Sequence, residues 1–378
     1  MRSKLPLAIQ GSLALLLVTP GLAMGAVHPP VLAIYVALAA ATLALLAFDG
    51  SYHRQCRVDL PLALFLVLTA FTALQLLPLP AGLVRLLSPN AHAIRAAAVA
   101  PLGLGAPSWM PLSLDTSFTL AELGKMIIYI GVYLGTCAWT RRHGSTAVLR
   151  LVMIAGLAVA AVFLAHQVLM LDKVYGWYKP LHRTFGRNTW APLVNPNHLA
   201  ALLGLSTTVT IGRALAARTR SERMLLIGIS ALSGASLLIT LSRGGIAAFI
   251  AGQCLFVLLR VLGRLTGNDR QEGRRQHLAW LPIGLVATLG LGLFVAQDAI
   301  IGEFVEGDAR KIELVTEGLP LVGSFPATGV GRGAFWVGFP QVSDLSARIT
   351  FTHAENAVVQ LLADWGVVFG GLALLVPA

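Results

Sequence analysis

The chain has 378 residues, of which 56% are hydrophobic and only 12% are charged. Soluble domains carry about 25% charged residues, so this composition excludes an ordinary water-soluble enzyme. The formal net charge of +11 raises the question of nucleic-acid binding, for which basic residues collect on one folded surface. Here they are spread over short segments between apolar runs, which excludes a nucleic-acid partner.

Long apolar runs predict the fold. Runs of about 18 residues or more can cross the hydrocarbon core of a bilayer as helices. Lipid offers the backbone no hydrogen-bond partners, and these runs lack the period-two alternation of barrel strands. The sequence therefore predicts an all-α, polytopic transmembrane helix bundle with about ten spans, the last of them partial. In chain order the runs cover 5–24, 30–48, 60–78, 119–139, 147–171, 197–214, 224–241, 244–262, 279–296 and 366 to the end.

The basic residues predict how these helices are oriented. Sixteen of the 28 basic residues lie at the N-terminus and in the short segments that follow every second span. Cytoplasmic loops are enriched in Lys and Arg, so we interpret these segments as cytoplasmic. The longer segments 79–118, 172–195 and 297–352 are then periplasmic. The first run resembles a signal peptide, but we favour an uncleaved first helix.

Three regions follow from this pattern. Residues 1–296 hold transmembrane helices one to nine, 297–352 form a periplasmic loop with short helices, and 353–378 hold a motif helix and a partial last span. The last run is short for a span, and we interpret the chain as truncated within it. All three cysteines are predicted on the inner side or within a span and form no CxxC pair, so neither a disulfide nor a metal site is indicated.

Two candidate binding segments lie where the sixth and eighth spans begin. Asn195 is a natural N-cap with proline at the first helical position, and this places Asn197 in the first turn. Arg243 stands before two glycines in a predicted hairpin between spans. A guanidinium has the forked geometry that suits phosphate oxygens, although an arginine there could also reach lipid headgroups.

Two further arginines lie in the longest periplasmic segment. Arg310 is near the start of a short predicted helix that Gly318 and Pro320 would stop. A cation is unfavourable at a helix N-terminus, which hints at an anionic partner, but a solvated surface explains it equally well. Arg332 lies in a glycine-rich segment, 329–333, which lacks the strand–helix context of a dinucleotide site. We interpret that segment as a flexible turn in which Arg332 provides an extra anion contact.

The segment 352–356 is the most informative one. Thr352 and Glu355 have the spacing of a capping box, which gives Glu355 a purely structural explanation. His353 and Asn356 would then continue into a polar stripe along an apolar helix with Gln360 and Asp364. Such a stripe faces a protein interior or a water-filled cavity. The unperturbed pKa of a histidine, near 6.5, suits removal of a proton from a hydroxyl, so His353 is a candidate general base.

The order and spacing of these segments, rather than any one of them, carry a resemblance to a known family. The segments are 111–115 (Pro-Leu-Ser-Leu-Asp), 195–198 (Asn-Pro-Asn-His), 242–244 (Ser-Arg-Gly), the loop helix near Arg310, 329–335, 353–356 (His-Ala-Glu-Asn) and 360–366. Together they resemble the O-antigen ligase and polysaccharide polymerase family of bacterial inner-membrane glycosyltransferases. Glu355 stands directly before Asn356, where many members have histidine.

The resemblance implies a periplasmic active site and a multi-pass protein of the bacterial inner membrane. It implies metal-independent glycosyl transfer, with no cofactor, from an undecaprenyl-diphosphate-linked glycan to an acceptor hydroxyl on a glycolipid, a glycan or a protein. By position it assigns catalysis to His353 and Glu355, and substrate contacts to Arg243 and Arg310. To these contacts we add Arg332, Asn197 and Asn356. Two alternatives remain open: a transporter or flippase of lipids or solutes, and a truncated family member without activity.

Overall fold

The computed structural model describes residues 5–49, 58–180, 190–265, 313–343 and 350–375, which are mostly helical. Helices α1–α7 span Leu5–Leu22, Pro29–Phe48, Leu60–Leu76, Ala81–Leu87, Pro89–Val99, Thr116–His143 and Thr146–Val168. Helices α8–α13 span Pro196–Ala216, Arg220–Ile239, Arg243–Leu265, 313–324, Phe335–Gly338 and Ala357–Ala373. Two-residue strands, β1 (Leu79–Pro80) and β2 (Trp109–Met110), pair antiparallel and are the exception to an all-helical fold.

The prediction of a polytopic helical membrane protein is confirmed. Within the described residues, six helices, α2 and α6–α10, are long and apolar enough to cross a membrane. Among three shorter apolar helices, α1 and α3 coincide with predicted spans. The third, α13, begins at Ala357 and only overlaps the predicted partial span that starts at residue 366. The predicted span over 279–296 lies outside the described residues, so the count of ten spans stays a prediction.

The described residues form two compact units, each considered by itself. The first is drawn from Met1–Ile9, His28–Ala138 and Val305–Ala378, and the second from Gln10–Val27 and Trp139–Phe304. In the second unit, α7–α10 enclose a core that includes Phe163, Leu203, Leu237 and Phe249. Lipid is as apolar as the side chains, so helices in a membrane associate through close packing rather than through the hydrophobic effect.

Small residues provide this close packing in the second unit. A Cβ atom built on Gly156 of α7 would lie 2.0 Å from the Ser206 hydroxyl of α8, and one on Gly245 of α10 would lie 2.3 Å from the Ala200 Cβ. Neither position therefore has room for a side chain. The second contact brings the first turn of α10, where Arg243 lies, against the first turns of α8, where Asn197 lies.

In the first unit, α11 and α12 pack against the first half of α13. The core of this region is apolar and includes Leu314, Leu321, Phe335, Phe339 and Val359. The prediction that Gly318 and Pro320 stop the loop helix is wrong, because residues 313–324 are helical throughout. Burial of Leu314 and Leu321 on one face outweighs the cost of about 3 kcal/mol for an interior proline.

The predicted capping box at Thr352 and Glu355 is also wrong. Helix α13 begins at Ala357, and the side chain of Asn356 caps it by accepting hydrogen bonds from the Val358 and Val359 amides at 3.0 and 3.1 Å. Glu355 has a left-handed backbone conformation, with φ of 50°, and lies outside the helix. Asparagine is a stronger N-cap than threonine, which explains why the helix starts four residues later than the box requires.

Candidate functional site

The glycine-rich segment 329–333 of the first unit is a turn, as predicted, but it is packed into the protein rather than loose. Gly329, Gly331 and Gly333 all have positive φ, at 65°, 103° and 80°. A Cβ atom on Gly331 would lie 2.3 Å from the Ser113 hydroxyl, and one on Gly333 would lie 2.8 Å from the Glu122 Cγ. Only glycine satisfies both the backbone conformation and the space. The turn therefore presents Arg332 in a fixed direction.

Helix α13 is broken beside this turn. Gly366 has φ of 75° and ψ of 178°, which interrupts the helical hydrogen-bond ladder. The Val367 amide instead donates to the Pro326 carbonyl at 2.7 Å, and the Ala363 carbonyl accepts from the Val330 amide at 2.8 Å. Buried backbone groups need such partners, and lipid cannot supply them. The turn thus supplies the partners that the break removes.

Arg332 contacts two carboxylates at the break. Its Nη1 donates to Asp364 Oδ2 at 2.6 Å, and its Nε lies 3.3 Å from Glu122 Oε2. Burial lowers the pKa of the Arg332 guanidinium, but the charges of Asp364 and Glu122 raise it, and the net result is a pKa above its ordinary value. The guanidinium also lies over the Trp365 ring, with Cζ 4.8 Å from the ring centroid. Arg332 therefore stays charged, and 24% of its side chain remains exposed.

Glu122 and Gln360 connect this ion pair to His353. Glu122, on α6, forms an ion pair with Lys125 and lies within electrostatic range of both Arg332 and His353. Gln360 donates to Asp364 Oδ1 at 3.0 Å and accepts from the Ala354 amide, next to His353, at 2.8 Å. The first unit therefore brings together Arg332 and His353 of the predicted site residues.

The residues around His353 occupy a short stretch before α13. His353 is exposed, and its Nδ1 lies 3.0 Å from the Thr352 hydroxyl. Glu355 is also exposed, and Asn356 uses its side-chain oxygen to cap the helix. The predicted stripe is therefore helical only from Gln360 to Asp364, and His353 stands before it on extended or turn backbone. An exposed imidazole in this place is accessible to a substrate hydroxyl.

In the second unit, Asn197 lies beside the start of α10. The Ser242 hydroxyl donates to Asn197 Oδ1 at 2.6 Å and accepts from the Gly245 amide at 3.1 Å. Arg243 is the first residue of α10, so Asn197 and Arg243 are neighbours through Ser242. The predicted N-cap Asn195 is confirmed, because its side chain accepts from the Asn197 amide at 2.9 Å. The second unit thus has Arg243 and Asn197 at the starts of two helices that pack against each other.

The remaining predictions concern Arg310 and metals. Arg310 lies outside the described residues. Across the part of the chain that the structure describes, no group of three His, Cys, Asp or Glu side chains could hold a metal ion.

Glu122 was not predicted from the sequence as a site residue, and the surroundings of Asp364 differ from those predicted. Glu122 lies in a predicted span with Lys125 one turn later, and an ionisable residue in an apolar segment is itself a signal of a functional site. Asp364 was predicted as part of a continuous polar stripe, whereas it lies two residues before a break and is 1% exposed. The pairing of both acids with Arg332 has no local sequence signal.

The family model described as O-Antigen ligase matches residues 228–376. This range includes the start of α10, the glycine-rich turn and all of α13. No curated protein and no solved structure matched the chain.

Proposed function

Since residues 228–376 match the O-antigen ligase family model, we propose that this membrane protein transfers a glycan from an undecaprenyl-diphosphate-linked donor to an acceptor hydroxyl. The observation that carries this proposal is the grouping of Arg332, its two carboxylates and His353 in one unit. The reaction takes place at the periplasmic face of the bacterial inner membrane, and the acceptor is a glycolipid, a growing glycan or a protein.

The chemistry assigns a role to each kind of group. The acceptor oxygen forms a bond to the anomeric carbon, while the bond from that carbon to the diphosphate oxygen breaks. His353 takes the acceptor proton as general base. The departing diphosphate gains charge and needs no general acid, so fixed cations stabilise it. The resemblance makes Arg243 and Arg310 candidates for these cations, and we add Arg332, which lies in the same unit as His353. The proposed reaction requires no metal ion.

The two asparagines and Glu355 have secondary roles. Asn197 and Asn356 lie at helix starts, beside the arginine and the histidine respectively, and they orient polar groups of the substrates. Glu355 assists His353 through its charge rather than by direct proton transfer. Its exposed position before α13 supports this weaker role.

Arg243→Lys is the direct test of the anion clamp. An ammonium cannot reproduce the bidentate fork of a guanidinium, so we expect this variant to reach the membrane in normal amounts and to lose most of its transfer activity. The assay is in vitro transfer from a lipid-diphosphate-linked glycan at matched membrane levels. Arg223→Lys, on α9, is a matched control, and we expect it to keep activity. Equal activities of the two variants would contradict the anion-binding role and would mean that Arg243 contacts lipid headgroups instead.

Reporter fusions test the orientation on which the periplasmic assignment depends. Fusions after residues 57, 142, 220 and 270 should report a cytoplasmic location, and fusions after 95, 185 and 330 a periplasmic one. This follows from the excess of Lys and Arg in the first set of segments. A periplasmic signal at 220 would reverse the orientation and contradict the proposed location of the reaction.

Transport is the second candidate, and the break in α13 is the observation that favours it. Transporters use broken helices in corresponding halves, with ionisable residues at the membrane midplane. Among the described α-helices one is interrupted in this way, at Gly366, and the buried Asp364 beside it is paired with Arg332. Because Arg332 already balances the charge of Asp364, this acid does not require a transported cation as its counter-ion. Transfer in detergent solution, where no compartments exist, would separate the enzyme from a transporter.

A further inference from the structure

Gln75 lies at the end of α3 and is fully buried, with 0% of its surface exposed. Both ends of its amide are used. Nε2 donates to the Thr328 carbonyl at 2.8 Å and to the Asp364 carbonyl at 2.9 Å. Oε1 accepts from the Arg332 amide at 3.1 Å. A single side chain thus contacts the glycine-rich turn, the residue directly before it and the broken helix.

Each of these partners is a backbone group that its own segment leaves unpaired. The break at Gly366 frees the Asp364 carbonyl from the helical ladder, and the turn frees the Thr328 carbonyl and the Arg332 amide. A buried carbonyl or amide without a partner is strongly unfavourable in a protein interior. The side chain of Gln75 has two donor hydrogens and an acceptor oxygen, which match two carbonyls and one amide.

We propose that Gln75 is a positioning residue for the transfer reaction. It joins the backbone of Arg332 to the backbone of Asp364 and so fixes the direction in which the Arg332 guanidinium meets an anionic donor. The direct ion pair between the two side chains, at 2.6 Å, depends on this backbone spacing. The proposal rests on the proposed function, in which Arg332 contacts the lipid-linked diphosphate.

The first test replaces Gln75 by leucine. Gln75→Leu keeps the volume but leaves three backbone groups unpaired, so the turn shifts relative to α13. A misplacement of about 1 Å at a reactive site costs on the order of 10²-fold in rate, and we expect that loss in kcat. Thr69→Val is the matched control, since the Thr69 hydroxyl on the same helix bonds within α3, to the Phe65 carbonyl at 2.6 Å. It should keep the parent rate.

The second test uses pH to separate positioning from packing. In Gln75→Glu, a neutral carboxyl can still donate to one carbonyl and accept from the Arg332 amide, whereas an ionised one faces two carbonyl oxygens. Burial disfavours the ionised form of the introduced carboxyl, and so do the negative charges of Asp364 and Glu122. The positive charge of Arg332 favours it, but Arg332 is already paired with both acids, and Lys125 is paired with Glu122. The neutral form is present at low pH and is lost as pH rises. We therefore expect near-parent kcat at the acid end and a new alkaline decline.

Three results would overturn the proposal: parent kcat in Gln75→Leu, a Gln75→Glu profile parallel to that of the parent, or equal backbone exchange in the variants. The last is measured by hydrogen–deuterium exchange of the segment 326–334, which should be faster in Gln75→Leu than in Thr69→Val. If the parent chain shows no transfer, the proposed function fails. The exchange measurement then still decides whether Gln75 positions the turn.

Discussion

His353→Ala should abolish glycosyl transfer. A positioned general base contributes about 10²–10⁴-fold to rate, and alanine has no group that can accept the proton of the acceptor hydroxyl. His353 is exposed before α13, so its removal leaves the buried packing of the first unit intact. The measurement is in vitro transfer at matched membrane levels. His92→Ala, which removes a histidine from α5 in the same unit, should keep activity.

Glu355→Gln separates the two candidate catalytic residues. Glu355 is outside α13 and is not part of its cap, so we expect this variant to fold normally and to remain within about tenfold of the parent. Loss of a general base would be on the order of 10²-fold or more. Full activity of His353→Ala together with an inactive Glu355→Gln would transfer the role of base to Glu355.

Arg332→Met should be the most destabilising of the substitutions considered. The Asp364 side chain is 1% exposed, and without the guanidinium its carboxylate is buried unpaired. Removing one partner of a buried ion pair costs about 3–5 kcal/mol, since the remaining charge is uncompensated. The free energy of unfolding can be measured by SDS titration of the purified protein in mixed micelles. Lys125→Met is the matched control, with an expected loss below about 1 kcal/mol, because the Lys125 side chain is 36% exposed.

The double variant Arg332→Met with Asp364→Asn tests the cause of this loss. Asparagine removes the unpaired charge, and its oxygen can still accept from Gln360 and from the Gly333 amide, which lie 3.0 and 3.3 Å from Asp364 Oδ1. The double variant should therefore regain part of the stability. If Arg332→Met lowers the free energy of unfolding no more than Lys125→Met does, water solvates the Arg332–Asp364 ion pair and its burial does not explain the stability.

The helices that cross the membrane could be predicted because their signal is local. Apolar runs such as 147–171 and 197–214 correspond to α7 and α8 within a few residues. The N-cap at Asn195 was predictable for the same reason, since proline follows it and the apolar run begins there. These features depend only on residues that are neighbours in sequence.

The candidate site was predicted less well because its contacts are distant in sequence. The segment 352–356 offers two competing caps, Thr352 and the stronger Asn356, and Ala354 between them is buried in the core that α11 and α12 form with α13. The turn at 329–333 was recognised from its glycines, but its rigidity comes from Ser113 and Glu122, more than 200 residues earlier. No periodicity in the sequence reports such contacts.

During synthesis, the amide of Gln75 enters the bilayer long before its partners exist. Its hydrogen bonds join residues that are 253 and 289 positions apart. At an elongation rate of about 5–20 residues per second, the ribosome needs roughly 10 to 60 s to reach Thr328 and Asp364. Over that interval α3 is a 17-residue helix with a polar group that lipid cannot satisfy. Helix α3 is therefore held in place by α13 and by the segment before it, so the insertion of this early helix is completed only late in translation.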